Sequence, residues 1–178
     1  YMHIYNIRRI RKYLIVDATA KIVNALVTSQ IDYAILYGVA DNLLKRLQLL
    51  QNSAARLVLQ RKRHEHVTPL LEQLHWLPIS YRIEYKINLL TFKCIHSLAP
   101  TYLCEMLHPY VPSRSLRSSL KNLLLEKRGQ SKSMGDRAFS IAAPKLWNKL
   151  PNELRLIDEL SNFKTALKTY YFKKAFGK

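Results

Sequence analysis

Apolar residues recur along most of this chain at alternating three- and four-residue steps, the spacing of one face of an α-helix. The strongest such stretch runs from Val67 to Pro100. Thr68 is expected to cap a short helix with Pro69 at its first position, where a missing N–H costs nothing. Leu70, Leu71 and Leu74 form the apolar face of that helix, and Trp76-Leu77 precede a stop at Pro78. Ser80 is then expected to cap a long helix whose stripe is Ile83, Ile87, Leu90 and Cys94, widened by Leu89, Ile95 and Leu98. Arg82, Lys86 and Lys93 occupy its outward side.

The flanking segments follow the same rule. Ile4, Ile7, Ile10 and Leu14 keep helical spacing, and Ala18 to Val27 places Ile22, Val23, Leu26 and Val27 on one side, with Gly38 as the stop. Asp41 is expected to cap a helix to Gln60 with a stripe of Leu43, Leu47, Leu50, Ala54 and Leu57; Ala54-Ala55 lets a neighbour approach closely. Pro100 opens a short helix through His108, with Tyr102, Leu103, Met106 and Leu107 inward. Phe139, Ile141, Leu146, Trp147 and Leu150 read as core anchors, with Pro144 and Pro151 each starting a helical turn. Ser161 is expected to cap a last helix in which Phe163, Leu167, Tyr170 and Tyr171 turn inward or sideways.

Between them, Pro109 to Gly135 is rich in Ser, Pro and basic residues, with Glu126 its only acid. It reads as a basic loop, or as a small β-hairpin near 122–135 that turns at Gly129. The predicted architecture is therefore mainly α: a multi-helix bundle over 1–108, the basic loop or hairpin over 109–135, and a helical extension over 136–178 that docks on the core.

Composition changes this picture in one respect. The chain of 178 residues has 29 basic against 12 acidic side chains, a net charge of +17. A field of that sign favours polyanions, nucleic acid first and anionic membrane surface second. Four glycines argue against a glycine-rich nucleotide-binding fold. Two cysteines make no disulfide framework and point to a reducing, intracellular setting, cytoplasm or nucleus. No apolar run approaches the roughly 18–20 residues needed to span a bilayer.

Catalytic chemistry finds no foothold. There is no carboxylate cluster to hold two magnesium ions, no phosphate-binding glycine loop, no nucleophile elbow and no H-E-x-x-H. Cys94, His96, Cys104 and His108 are the best metal candidates, but their spacing matches no common zinc pattern. Cys94 and His96 also lie about 200° apart on an ideal helix. Buried cysteines and surface histidines are the ordinary reading, and His64, Glu65 and His66 read as a solvated loop. No metal site or cofactor is assigned, and the chain reads as non-enzymatic on its own.

The cations fall into four groups: Arg8, Arg9, Arg11 and Lys12; Arg61, Lys62 and Arg63; Arg114, Arg117, Lys121, Lys127, Arg128 and Lys132; and the last-helix lysines Lys164, Lys168, Lys173 and Lys174. Arg61 to Arg63 follow a helix C-terminus, where the dipole favours them. Tyr5, Tyr13, Tyr81, Tyr85, Tyr110 and Tyr170 to Phe172 lie near these groups, so bases could stack while cations track phosphates. Core packing is the simpler role for most of these rings. No helix requires the cations of 114–132, which makes that loop the best single candidate for nucleic-acid contact.

The run QNSAARLVLQRKRHEHVTPLLEQLHWLPISYRIEYKINLLTFKCIHSLAPTYL, with VPSRSLRSS and GDRAFSIAAPKLWNKLP after it, resembles the C-terminal part of the reverse transcriptase of LINE-type, jockey-like non-LTR retrotransposons. The upstream IRRIRKYL and VTSQIDYAILYG resemble the segment after the polymerase palm. The resemblance implies a thumb-like region and C-terminal extension that hold RNA template and primer strand. Arg8, Arg9, Lys45, Arg46 and Arg61 to Arg63 would then be phosphate contacts, RNA or DNA the partner, and the upstream palm a second partner. The catalytic aspartates and their magnesium belong to that palm. Ile31 to Gly38 is shorter than the family pattern by about two residues, which turns a helix by about 200°, and Val39-Ala40 replaces the customary proline. A truncated remnant without selected activity and a helical protein-interaction module are the alternatives.

Overall fold

The computed structural model describes residues 2–29, 37–112, 122–127 and 138–177. Among them the chain is mainly helical: α1 Met2–Ile10, a 3-10 turn Arg11–Tyr13, α2 Val16–Val23 running into a π turn Asn24–Thr28, α3 Asp41–Leu59, α4 Thr68–Gln73, α5 Ile79–Ile95, α6 Thr101–Cys104, α7 Phe139–Asn148, α8 Asn152–Arg155 and α9 Leu160–Phe176. The chain forms two compact units. One comprises Tyr1–Tyr33, Val39–Arg82 and Lys174–Lys178, the other Ala34–Gly38 and Ile83–Lys173.

In the first unit α1, α2 and α4 pack on α3. The small side chains Ala54 and Ala55 are fully buried, as a close helix approach requires. The buried face of α3 is centred on Gln51, Ala54, Ala55, Leu57 and Val58, whereas Leu43, expected inside, is exposed. Ile4, Ile7, Val23 and Val27 are buried as expected, but Ile10 and Leu26 are not. The long opening helix breaks after Ile10, where the backbone tightens into the 3-10 turn, and Arg11 takes the inward place.

Several helix starts differ from the expected caps. Val67, with no side-chain bond, precedes α4, and Thr68 is its first residue. Asp41 is likewise the first residue of α3, where its charge suits the positive end of the helix dipole. At α5 the cap is not Ser80 but a side chain distant in sequence. The Ile79 N–H donates to Gln48 Oε1 at 2.9 Å, and buried Gln51 donates through Nε2 to the Leu77 carbonyl at 2.8 Å. At α9 Glu159 precedes the helix and accepts from the Ser161 hydroxyl and, at 2.7 Å, from the Asn162 amide.

In the second unit α5 buries Ile83, Ile87, Asn88, Thr91, Phe92 and Cys94, a face shifted from the expected one, since Leu90 is only half-buried and Ile95 and Leu98 are exposed. Phe92 stacks on Phe163 of α9 with centroids 4.2 Å apart, and Trp147 of α7 lies 5.8 Å from Phe163. Asn88 donates through Nδ2 to the Tyr171 hydroxyl at 2.7 Å. Pro144 sits inside α7 rather than at a turn start, so the Ser140 carbonyl loses its helical donor; Pro151 does precede α8. Tyr102 and Met106, expected inside, are exposed.

The described part of the basic loop is held differently from the expected hairpin. Residues 123–125 pair with 108–110 through an antiparallel bridge between Pro109 and Leu124. Tyr110 N–H donates to the Leu123 carbonyl at 2.9 Å and Leu125 N–H to that of His108 at 2.8 Å. Asn148 clamps the far side of Leu124, accepting from its N–H at 3.0 Å and donating to its carbonyl at 2.8 Å. Trp147 Nε1 donates to the Asn122 carbonyl at 2.7 Å. The expected turn at Gly129 and its return strand lie outside the described residues. Gly38 has a φ of +69°, the left-handed conformation glycine adopts at little cost.

Candidate nucleic-acid interface

Two of the cation groups meet in the first unit. The α3 helix ends at Leu59 because Gln60 adopts a left-handed φ of 54°, and the Arg61 N–H then returns to the Arg56 carbonyl at 2.9 Å. That reversal folds Arg61 to Arg63 back beside the last turns of α3, where α1 also packs. The result is a cleft of about 810 Å³ lined by Arg8, Arg11, Leu49, Ser53, Arg56, Leu57, Gln60, Arg61 and Arg63. Among the described residues of its lining, five of nine are arginines and none is acidic.

The five arginines are not equivalent. Arg11 is buried, and its guanidinium caps the C-terminal end of α3. Nε donates to the Leu57 carbonyl at 3.0 Å and Nη2 to that of Val58 at 2.7 Å, while Nη1 reaches the Leu14 carbonyl at 2.6 Å. Terminal carbonyls of a helix have no intrahelical donor, and a cation there also meets the negative end of the dipole. Arg11, expected among the nucleic-acid-binding cations, is buried and acts as a structural cap at the floor of the cleft. Arg56 is half-buried and donates through Nη2 to the Glu65 carbonyl at 2.9 Å. Its Nε is enclosed and has no acceptor among the described residues. An enclosed donor left unmatched costs about 1–3 kcal/mol.

Arg8, Arg61 and Arg63 are exposed. Arg61 Nη1 lies 3.8 Å from Glu65 Oε2, a loose surface pair of little energetic weight. The other Glu65 oxygen accepts from the Lys62 N–H at 2.7 Å. The nearby carboxylate therefore braces the loop and offsets only part of the charge around the cleft.

The remaining candidates are dispersed. Arg9 lines a separate hollow of about 470 Å³ with His3, Asn6, Ile7, Ile10, Ile22 and Leu26. Lys12 is exposed with its ammonium 4.8 Å from the Tyr13 ring centre, within cation–π range. Lys45, Arg46 and Lys62 are exposed on the first unit, and Lys127, Lys168 and Lys173 on the second. Lys174 Nζ is 5.6 Å from the Tyr81 ring centre. Arg114, Arg117, Lys121, Arg128 and Lys132, the core of the loop favoured from sequence, lie outside the described residues.

Arg56 is the member that sequence reading missed. It sits among apolar helix positions and belongs to no charge run, and its relation to Arg8 exists only because α1 packs on α3. The nearest signal was the basic triplet Arg61-Lys62-Arg63 five residues on, but no glycine marks the left-handed turn that brings the two together.

Among the described residues no three His, Cys, Asp or Glu side chains are grouped to hold a metal. Cys94 is buried, and burial, with Cys104 adjacent, pushes its thiol up to about 12. Cys104 Sγ donates to the Ala99 carbonyl at 3.5 Å, and His96 stacks on Phe92 at 4.1 Å. None of the described helices is long and apolar enough to cross a membrane.

Compared with known proteins, the chain matches no family model, no curated protein and no solved structure.

Proposed function

We propose that this chain is a nucleic-acid-binding, non-catalytic part of a retrotransposon reverse transcriptase of the LINE type, holding RNA template or primer strand by its backbone. The observation that carries the reading is the cleft in which five arginines converge with no acid among the described residues of its lining. Such a surface attracts phosphate from any sequence, because guanidinium forks match phosphate oxygens and carry no base information. The motifs along 51–103 supply the link to the retrotransposon family, and the net charge of +17 supplies long-range attraction.

Binding to a fluorescent single strand of RNA or DNA, measured by anisotropy across salt, tests the proposal. If Arg8, Arg56, Arg61 and Arg63 each displace a counterion, affinity falls by about fifty-fold between 50 and 200 mM salt. An affinity that stays flat over that range rules the mechanism out.

A second reading draws on the second unit, where Leu98, Tyr102, Met106 and Val111 are exposed. Apolar exposure of that kind suits a protein-interaction module. Sedimentation without nucleic acid separates the two: a mass that rises with concentration favours the module.

A further inference from the structure

We infer that the arginine cleft is a seat for a phosphomonoester or pyrophosphoryl group, the chemistry of a strand end or of a free nucleotide, in preference to an internal phosphodiester. The inference deepens the nucleic-acid reading and rests on it for the source of such a group.

Preorganisation is the first argument. Arg11 is fixed by the carbonyls of Leu57 and Val58, and Arg56 by that of Glu65. Arg11 spends its donors on those carbonyls and closes the floor, so the guanidinium held in place before a ligand arrives is that of Arg56, which removes part of the ordering cost that a flexible basic surface carries. Strand tracking needs no such fixed group, because mobile lysines and arginines suffice for it.

Charge and valence are the second. An internal phosphodiester brings one negative charge, whereas a phosphomonoester brings about −1.5 to −2 and three strong acceptor oxygens. Arg56 Nε is an enclosed donor with no acceptor among the described residues, beside exposed Arg8 and Arg63. A compact group rich in acceptors matches that excess of donors.

The third is what the lining lacks. Apart from arginines its described lining offers Leu49, Ser53, Leu57 and Gln60, with no aromatic ring among them for a base to stack on. Its volume of about 810 Å³ is that of a small-molecule pocket rather than of a groove for duplex. Selection must then fall on the phosphate itself.

The test uses the full chain and a 12-nucleotide single strand in three forms: 5′-phosphate, 3′-phosphate, and hydroxyl at both ends. Inorganic pyrophosphate and a nucleoside diphosphate serve as competitors, with chloride at matched ionic strength as the reference. One additional charge-assisted hydrogen bond at the strand end predicts about tenfold tighter binding of a phosphorylated strand. Pyrophosphate should displace it where chloride does not. Arg63→Ala, an exposed change that leaves the fold intact, should abolish most of the advantage. Arg56→Lys should do the same, because an ammonium keeps the charge but loses the fork.

Equal affinity for phosphorylated and hydroxyl-ended strands overturns the inference and leaves the nucleic-acid reading standing. Pyrophosphate binding that Arg63→Ala removes, with no strand bound, supports the seat and overturns that reading. No binding of any probe overturns both. A phosphorylated strand that outcompetes the diphosphate assigns the seat to strand ends; the reverse assigns it to a free nucleotide.

Discussion

Arg11 donates from Nε to the carbonyl oxygen of Leu57 at 3.0 Å, joining residues 46 positions apart at the end of α3. With its bond to Val58 at 2.7 Å, the side chain completes two carbonyls that the helix itself leaves without donors. Replacing Arg11 with Met removes the donors and strands those carbonyls in a buried place. The expected loss is about 2–4 kcal/mol, read as a lower urea midpoint with an unchanged slope. Arg11→Lys should recover little, since one ammonium lacks the fork that reaches both oxygens. Arg8→Ala, at an exposed position of the same cleft, should stay within about 0.5 kcal/mol of the parent.

The Asn88 amide makes a sharper case in the second unit. Its Nδ2 donates to the Tyr171 hydroxyl at 2.7 Å, while its Oδ1 is buried with no donor among the described residues. Tyr171→Phe then leaves the amide with a second orphaned atom and should cost about 1–3 kcal/mol. Adding Asn88→Leu removes the polar group altogether and should restore part of the loss. A double-mutant cycle by urea unfolding checks this; strictly additive losses would show that the pair is not coupled.

Alkaline pH should weaken the fold from the same unit. Burial, with Cys104 beside it, pushes the Cys94 thiol up to about 12. Burial, with Glu84 next in weight, also pushes the Tyr171 phenol up. Both folded values lie above the unfolded ones, so their contribution is complete below the unfolded pKa. It is lost as pH climbs past about 8.5 for the thiol and about 10 for the phenol, because the unfolded chain releases protons the folded chain retains. Urea midpoints should therefore fall from about pH 8.5 upward, and Cys94→Ala should delay the onset towards about pH 10. An onset that Cys94→Ala leaves unmoved would refute this assignment.

Much of this fold was legible because its helices are written in apolar spacing and punctuated by Pro78, Pro100 and Pro151. What was not legible is polar. Gln51, Asn88, Thr91 and Arg11 occupy core positions that a hydrophobic stripe assigns to leucine or isoleucine. Each is tolerable only through a hydrogen-bond partner, and for Gln51, Asn88 and Arg11 that partner is distant in sequence. Pro144 within α7 and the left-handed Gln60 break local rules in the same way. At the site, the charge of Arg8 and of Arg61 to Arg63 was plain from the sequence. Their convergence with Arg56 was not, since it follows from a helix contact and a turn with no glycine.

Position, and not charge alone, should set the salt dependence of nucleic-acid binding. Arg8 and Arg63 line the cleft and are exposed, so neither supports the fold and each is placed to displace a counterion. Arg8→Ala and Arg63→Ala should each reduce the slope of log affinity against log salt by about 0.7 for a single strand. Lys168 is equally cationic but belongs to the second unit, outside the cleft. Its alanine variant should change the slope by well under half as much, through the general field alone. Equal effects from all three variants would mean a diffuse basic surface with the cleft playing no special part. A pronounced effect confined to Arg8 and Arg63 would place the strand against α1 and the end of α3.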